Sequence, residues 1–155
     1  MIDIQIASSD THIPSIDMLT AWARAAVNLF PENCAMSIRV TDEKEMIQLN
    51  RDYRHIDKAT NVLSFPAELP DVIKDVLAEP LLGDIVICAT IIEREAFEQN
   101  KNLEAHWAHI VIHGTLHLLG YDHIKDEEAE KMETLEIELL SLFGYADPYN
   151  DRIKA

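Results

Sequence analysis

Three histidines, His113, His117 and His123, are spaced in the sequence as the ligands of one metal ion would be. On a helix, side chains four residues apart project from the same face, so the first two rings point toward a common position. Gly120 lies where such a helix would end, because glycine enters the left-handed conformation without the penalty that a Cβ imposes. The reversed chain can then return His123, and the pattern predicts a metal site built from three imidazoles.

The spacing H-x-x-x-H-x-x-G-x-x-H is the ligand spacing of the metzincin zinc proteases, with one difference. Gly114 follows the first histidine, where those enzymes have the glutamate that acts as general base. Three histidines leave a tetrahedral ion one open position, which is typical of catalytic zinc rather than structural zinc. We therefore expect a metzincin-like zinc motif that supports chemistry without the protease base.

Two further histidines, His106 and His109, precede the motif on the same predicted helix. His109 and His113 are also four residues apart, so His106 and His109 could compete as ligands. A site built with either of them lacks a glycine turn that returns a third histidine. We interpret His106 and His109 as residues that pack in the interior or hydrogen bond to the ligands. The alternative for the whole group is that helical histidines only pack or face solvent.

The helix that carries these histidines is predicted over residues 103–119. Apolar residues occupy almost its whole circumference, and this pattern indicates a central, buried helix. A buried imidazole needs a polar partner, and metal ligation provides one. We therefore expect the metal site on the central helix of the fold.

The rest of the chain alternates between predicted strands and helices. Strands are predicted at residues 2–6, 37–41, 60–66 and 83–88, and further helices begin near Ser15, Asp42, Thr90 and Asp126. A segment around residues 66–80, which contains three prolines, is predicted to be a loop with one helical turn at 71–78 and is a candidate lid. The pattern predicts an α+β fold, with one domain over residues 1–155, a small mixed β-sheet of about four strands and about five to six helices.

Two helices carry detailed expectations about their faces. In the helix that begins at Asp42, Met46, Leu49 and Tyr53 are expected to point inward, and Glu45 completes a capping box with Asp42. In the last helix the predicted apolar stripe consists of Met132, Leu135, Leu139 and Leu142. Its acidic residues, which extend from 126 to 138, are interpreted as a solvated face.

Composition excludes several classes of protein. The 13 Lys and Arg residues against 28 Asp and Glu give a formal charge of −15, which opposes non-specific attraction to nucleic acid or anionic lipid. Cys34 and Cys88 form no C-x-x-C pair, so neither a disulfide framework nor a cysteine zinc site is indicated. No secretory signal or membrane-spanning run is recognisable. We expect a cytoplasmic protein without a membrane partner.

Three stretches carry a specific resemblance to a known family. They are YRHIDKATNVLSFP at residues 53–66, LGDI at 82–85 and HGTLHLLGYDH at 113–123. Together they resemble the YbeY family of bacterial metal-dependent endoribonucleases, over most of the chain from about residue 37 to residue 148. His55, Ile56 and Ala59 depart from the family pattern, which is nearer Gly, Lys and Pro at these positions.

The resemblance implies a cytoplasmic, zinc-dependent endoribonuclease that cleaves single-stranded RNA. It implies action in ribosomal RNA maturation, at the 3′ end of the small-subunit RNA, and in ribosome quality control. His113, His117 and His123 match the ligands of one zinc ion, and Arg54 matches a functionally required arginine. The implied partners are single-stranded ribosomal RNA, the small ribosomal subunit and an assembly GTPase, with no DNA. Nickel or another divalent metal also suits three imidazoles.

These residues suggest a mechanism. Zinc on three histidines lowers the pKa of bound water toward neutrality, which would replace the absent glutamate base. The guanidinium of Arg54 suits phosphoryl oxygens that gain charge, and its alternative is a surface salt bridge with Asp52 or Asp57. Asp122 is predicted to be catalytic, by orienting a histidine or accepting a proton from the water, and its alternative is a turn or cap residue.

Arg51 and Lys58 lie near Arg54 in the one local concentration of positive charge. Either they guide the RNA backbone or they are plain surface charges.

Two other functions compete with the ribonuclease. One is a metzincin-like metalloprotease, which Gly114 opposes. The other is a non-catalytic ribosome assembly factor in which the metal only stabilises the fold.

Overall fold

The structure is a computed structural model that describes residues 1–30, 33–74, 79–122 and 124–149. His123 therefore lies outside the described residues. So do residues 75–78 of the candidate lid and the chain beyond Tyr149.

Four strands form one mixed sheet, as the sequence predicts. They are β1 (Ile2–Ile6), β2 (Ala35–Thr41), β3 (Val62–Pro66) and β4 (Leu81–Cys88), in the spatial order β1-β2-β4-β3. The first three in this order run parallel, and β3 pairs antiparallel with β4 at the edge. The nearly continuous apolar sequence of β4 suits its interior place, where both faces are covered.

Six helices are described, and the third is a single short turn. They are α1 (Ile16–Val27), α2 (Glu43–Arg54), α3 (Asp71–Lys74), α4 (Ala89–Glu98), α5 (Leu103–Leu118) and α6 (Asp126–Leu142). Side-chain caps begin two of them: Ser15 accepts a hydrogen bond from the amide of Met18, and Asn102 accepts one from the amide of Ala105. Within the described ranges, no helix combines the length and the apolar composition that a membrane crossing requires.

The sheet has a core on each face because its residues alternate in direction. Ile85 and Ile87 face the larger core, which α1, α5 and α6 complete. Val86 and Cys88 face a smaller core that includes Met46 of α2. Trp107, Ile112 and Leu116 leave no exposed surface, so α5 is the central buried helix that the sequence predicts.

Local predictions fail where side chains have other partners. Helix α4 starts directly after β4, with Cys88 as its N-cap, so Thr90 caps nothing. Asp42 precedes α2 but makes no capping bond; it accepts a hydrogen bond from Ser8, while Glu45 binds Arg39.

Tyr53 and Leu142 were expected in the core but are 64% and 74% exposed. Tyr53 is the last residue but one of α2, where the small core ends, and its ring packs edge-on against that of Phe65 with a centroid distance of 5.2 Å. Leu142 is the last residue of α6, beyond the helices that cover that face. A helical stripe therefore stops being buried where its packing partner stops.

Candidate metal centre

Helix α5 brings two of the predicted ligands together. The Nε2 atoms of His113 and His117 lie 3.1 Å apart, and both side chains are partly buried. Two ligands of a tetrahedral zinc ion, each about 2.05 Å from the metal, are separated by roughly 3.3 Å. The two nitrogens therefore have a spacing close to that of two ligands on one ion.

The other ring nitrogen of His113 contacts a carboxylate. Its Nδ1 lies 2.5 Å from Oε1 of Glu136, whose side chain has no exposed surface. Burial opposes ionisation of this carboxyl group, but hydrogen bonds from His109 and His113 outweigh burial and lower the pKa of Glu136 to about 2. An ionised carboxylate only accepts hydrogen bonds, so the proton of His113 is on Nδ1.

The ring of His117 is oriented by the turn that ends the helix. Its Nδ1 lies 3.0 Å from the carbonyl oxygen of Tyr121. Gly120 has a φ of 100°, and the amide of Tyr121 bonds back to the carbonyl of Leu116 at 3.1 Å, as in a Schellman motif. The turn predicted from Gly120 thus supplies an acceptor that places the proton of His117 on Nδ1.

The Glu136 carboxylate and the Tyr121 carbonyl determine which nitrogen of each histidine is free to bind a metal. With both protons on Nδ1, the neutral rings of His113 and His117 direct two Nε2 lone pairs toward each other. Two acceptors at 3.1 Å need a cation or a shared proton between them. The donor atoms therefore fit a metal ion such as zinc, for which neutral imidazole nitrogen is a preferred ligand.

A second group of possible ligand atoms shares His113. One atom each from His109, His113 and Glu136 lies within 4.8 Å of the others, so their types and spacing could hold a metal. However, the 2.5 Å between His113 Nδ1 and Glu136 Oε1 is a direct hydrogen bond, shorter than the separation of two zinc ligands. The pair formed by His113 and His117 fits the ion better.

Sequence reasoning missed Glu136. The residue lies in the acidic run that was assigned to a solvated face, but it is fully buried between Met132 and Leu140 on the inner face of α6. The signal was present in the spacing, since residues 132, 136 and 140 are each four apart and share one helical face. An acidic residue within an apolar stripe is a sign of a buried partner.

A cleft of about 740 Å³ lies over the two histidines. Helix α5 contributes His113 and His117, and the turn after it contributes Asp122. The segment from the end of α2 into β3 contributes further polar residues: Asn50, Arg54, Lys58, Thr60, Asn61 and Ser64. The predicted catalytic residues Arg54 and Asp122 thus line the same cleft as the described histidines.

The cationic residues at this cleft differ in their partners. Arg51 binds Asp57, with an Nη2 to Oδ1 distance of 2.5 Å. Among the residues that the structure describes, Arg54 forms no ion pair, so the predicted alternative of a salt bridge with Asp52 or Asp57 is not found there. Arg54 is exposed at the cleft and is available to an anionic ligand.

The loop that carries Lys58 is tied to α2 by a buried side chain. Asn50 is 2% exposed, and its Nδ2 donates to the carbonyl oxygen of Lys58 at 2.8 Å. His55, which ends α2, has a φ of 58° in the left-handed region. Neither role was predicted from the sequence, because both depend on the path of the loop.

Gly114 has a packing role that explains the absence of a glutamate. A Cβ at this position would lie 3.1 Å from Cγ2 of Val62 and 3.3 Å from Cγ2 of Ile85. The hydroxyl of Ser64 also donates to the carbonyl oxygen of Gly114 at 3.1 Å. Helix α5 therefore lies directly on β3 and β4 at this residue, and the longer side chain of a protease-type base would have to displace Val62 and Ile85.

Comparison with known proteins places the chain in a family. The sequence profile of the family described as Endoribonuclease YbeY matches residues 3–144. Two proteins named Endoribonuclease YbeY, from Pseudomonas putida strains F1 and KT2440, are each 57% identical over 150 residues, which are 97% of this chain and 93% of theirs. The homologue from strain W619 is 55% identical over the same length.

The fold is similar to that of a solved structure. The solution structure of TM1509 from Thermotoga maritima has a TM-score of 0.59 and 28% sequence identity, with 94% of this chain and 97% of that chain covered. The family match spans β1 to the end of α6 and includes the cleft and the two histidines. The chain therefore belongs to the endoribonuclease YbeY family.

Proposed function

We propose that the cleft is the RNA-cleaving site of this endoribonuclease and that His113, His117 and His123 hold one zinc ion there. The observation that carries the proposal is the 3.1 Å approach of two Nε2 acceptors whose Nδ1 atoms are already committed to Glu136 and Tyr121. The sequence spacing assigns His123 as the third ligand. When bound, zinc supplies Lewis acidity toward the phosphoryl group and toward the attacking oxygen.

Arg54 is proposed to hold the scissile phosphate. Charge accumulates on the phosphoryl oxygens during cleavage, and a guanidinium binds two such oxygens at once. Arg54 lines the same cleft as the histidines and forms no ion pair within the described ranges. Arg51, by contrast, is engaged by Asp57, so its contribution to RNA binding is expected to be small.

Asp122 is proposed to act on a proton at the same site. It lies in the cleft next to Tyr121, whose carbonyl oxygen orients His117. A carboxylate at this place can accept a proton from the attacking oxygen, a role for which Gly114 offers no side chain. The lack of space at Gly114 also disfavours the metalloprotease, which requires a glutamate there.

The substrate is proposed to be single-stranded ribosomal RNA. Family membership supports action at the 3′ end of the small-subunit RNA, in ribosome quality control and in the cytoplasm, with the small ribosomal subunit and an assembly GTPase as partners. The formal charge of −15 makes long-range attraction to RNA unfavourable. A partner that delivers the RNA end to the cleft is therefore consistent with the charge of the chain.

The test compares wild type, His117→Ala and Arg54→Ala for bound metal and for cleavage of a labelled single-stranded ribosomal RNA end. Arg51→Ala is the matched control, because it removes an arginine from the same helix that already has a partner. We expect His117→Ala to lose metal and cleavage, and Arg54→Ala to keep metal but lose cleavage about 100-fold or more. Arg51→Ala should retain most of the activity.

Three results would contradict the proposal. Equal cleavage by all four proteins would indicate a contaminating nuclease and would favour the assembly factor. Unchanged metal content in His117→Ala would place the metal elsewhere. Cleavage of a fully duplexed RNA at the same rate as the single strand would refute the proposed substrate class.

A further inference from the structure

Glu136 joins two histidines of α5 to a tyrosine that follows α6. Its Oε1 accepts from His113 Nδ1 at 2.5 Å, and its Oε2 lies 3.2 Å from His109 Nε2. The hydroxyl of Tyr149 also donates to Oε2 and lies 3.1 Å from His109 Nε2. A cleft histidine, an interior histidine and a tyrosine near the C-terminal end thus share one carboxylate.

The burial of this carboxylate limits its freedom. Glu136 has no exposed surface, so no solvent water can replace one of its three donors. With Oε1 directed at His113 and Oε2 held by two donors, rotation of the carboxylate would leave buried polar groups without partners. Tyr149 therefore helps to fix the carboxylate whose other oxygen orients His113.

We propose that Glu136 is the positioning residue for His113 and that the Tyr149 hydroxyl keeps Glu136 in place, so that both residues determine how tightly the metal is held. This inference rests on the proposed function, since His113 must be a ligand. A carboxylate behind a ligating histidine fixes its tautomer and ring plane and increases the basicity of the ligand. Neither Glu136 nor Tyr149 contacts the metal in this arrangement.

The same hydrogen bonds connect the segment after α6 to the metal centre. Tyr149 follows the segment 144–148, which comes after α6 in the sequence. The centroid of its ring lies 5.4 Å from that of His109, and the two rings pack edge to face. Removal of the Tyr149 hydroxyl alone should therefore change the metal affinity of the site, although the tyrosine does not contact the metal. A purely structural tyrosine would change stability but not metal affinity.

The experiment measures zinc affinity of the full-length chain by chelator competition at pH 7.5, and thermal unfolding of the same proteins in EDTA. The variants are Glu136→Gln, which keeps the shape and removes the charge, and Tyr149→Phe, which removes only the hydroxyl. Glu138→Gln on the exposed face of α6 is the control for the first. Tyr145→Phe is the control for the second, since Tyr145 donates to Glu104 at 2.5 Å and not to Glu136.

We expect Glu136→Gln to weaken zinc binding about 10- to 100-fold. Tyr149→Phe should weaken it roughly two- to tenfold, and should have no further effect in the Glu136→Gln background, because both act through one network. The two controls should bind zinc within about twofold of wild type, a smaller change than loss of a network member produces.

Other outcomes separate this inference from the proposed function. If His117→Ala loses zinc while Glu136→Gln binds as tightly as wild type, the metal site stands and the positioning role is refuted. If His117→Ala binds zinc as wild type does, the proposed site itself is wrong and the inference falls with it. If Glu136→Gln does not fold, Tyr149→Phe decides, and unchanged affinity in that variant refutes the inference.

Discussion

A Cβ on Gly114 would lie 3.1 Å from Cγ2 of Val62, although the two residues belong to a helix and to the edge strand of the sheet. This contact brings the helix that carries His113 and His117 onto β3, whose Ser64 bonds to the carbonyl of Gly114. The cleft lies between these elements. The close packing of α5 on β3 beside the cleft therefore depends on a residue without a side chain.

Gly114→Ala should destabilise the protein by about 1 kcal/mol. Insertion of a methyl group into a packed interior costs roughly 1–3 kcal/mol, and the higher helix propensity of alanine returns part of this. Urea unfolding measures the change. A Val62→Ala background removes the nearest contact and leaves those with Ile85 at 3.3 and 3.4 Å, so the loss should become smaller. An equal loss in both backgrounds would show that Val62 does not restrict this position.

His55→Gly should increase stability by about 0.5–1 kcal/mol. His55 ends α2 with φ 58° and ψ 31°, a conformation that costs a residue with a Cβ roughly 1–2 kcal/mol, while glycine loses more entropy on folding. His55→Ala keeps the Cβ and is the control, so it should not stabilise. Thermal unfolding of both variants tests this, and a higher melting temperature for His55→Ala than for His55→Gly would refute the argument.

Local patterns predicted much of the site because they depend on residues close in sequence. The four-residue spacing of His113 and His117 placed both rings on one face of α5, and Gly120 ended that helix as expected. The four strands were also predicted, since alternation and apolar runs are local features. Arg54 and Asp122, which the sequence predicts to be catalytic, both line the cleft. Their catalytic roles stay predictions.

Long-range contacts account for what the sequence did not reveal. Glu136 looked like one acidic residue among many, and only the packing of α6 on α5 gives it His113 as a partner. Likewise, Asn50 gave no signal, because its acceptor is a backbone carbonyl eight residues away on a loop. The insertion of β4 between β2 and β3 is a similar case, because strand order follows from tertiary packing.

Asn50→Ala should destabilise the fold by about 1–2 kcal/mol and weaken RNA binding. The buried amide is the donor for the Lys58 carbonyl, and its loss leaves that acceptor without its partner and the loop less fixed. Urea unfolding and binding of a labelled single strand to metal-loaded protein measure the two effects. Asn61→Ala, which removes the hydrogen bonds to Glu95 at 3.2 and 3.3 Å, controls for loss of any cleft asparagine. Unchanged stability in Asn50→Ala would contradict the role assigned to this residue.

The metal-free protein should lose stability as the pH falls. Burial lowers the pKa of His109 below the ordinary histidine value of 6.5, despite the hydrogen bond to Glu136. The neutral ring therefore stabilises the fold above pH 6.5, and this stabilisation is lost as the pH falls below 6.5. The pKa of Glu136 is lowered from 4.5 to about 2, so the ionised carboxylate stabilises the fold above pH 4.5. This contribution, about 3 kcal/mol, is lost as the pH falls from 4.5 toward 2.

Urea unfolding in EDTA between pH 7 and pH 3 tests both steps. Glu136→Gln has no group that titrates at this place, so its curve should be flatter than that of wild type below pH 4.5, while Glu138→Gln should follow wild type. Parallel curves for wild type and Glu136→Gln would show that folding does not lower the pKa of this carboxyl group. If wild type instead gains stability relative to Glu136→Gln as the pH falls from 7 toward 4.5, the carboxyl group is protonated in the fold, and the proton assignments of His109 and His113 would have to be reversed.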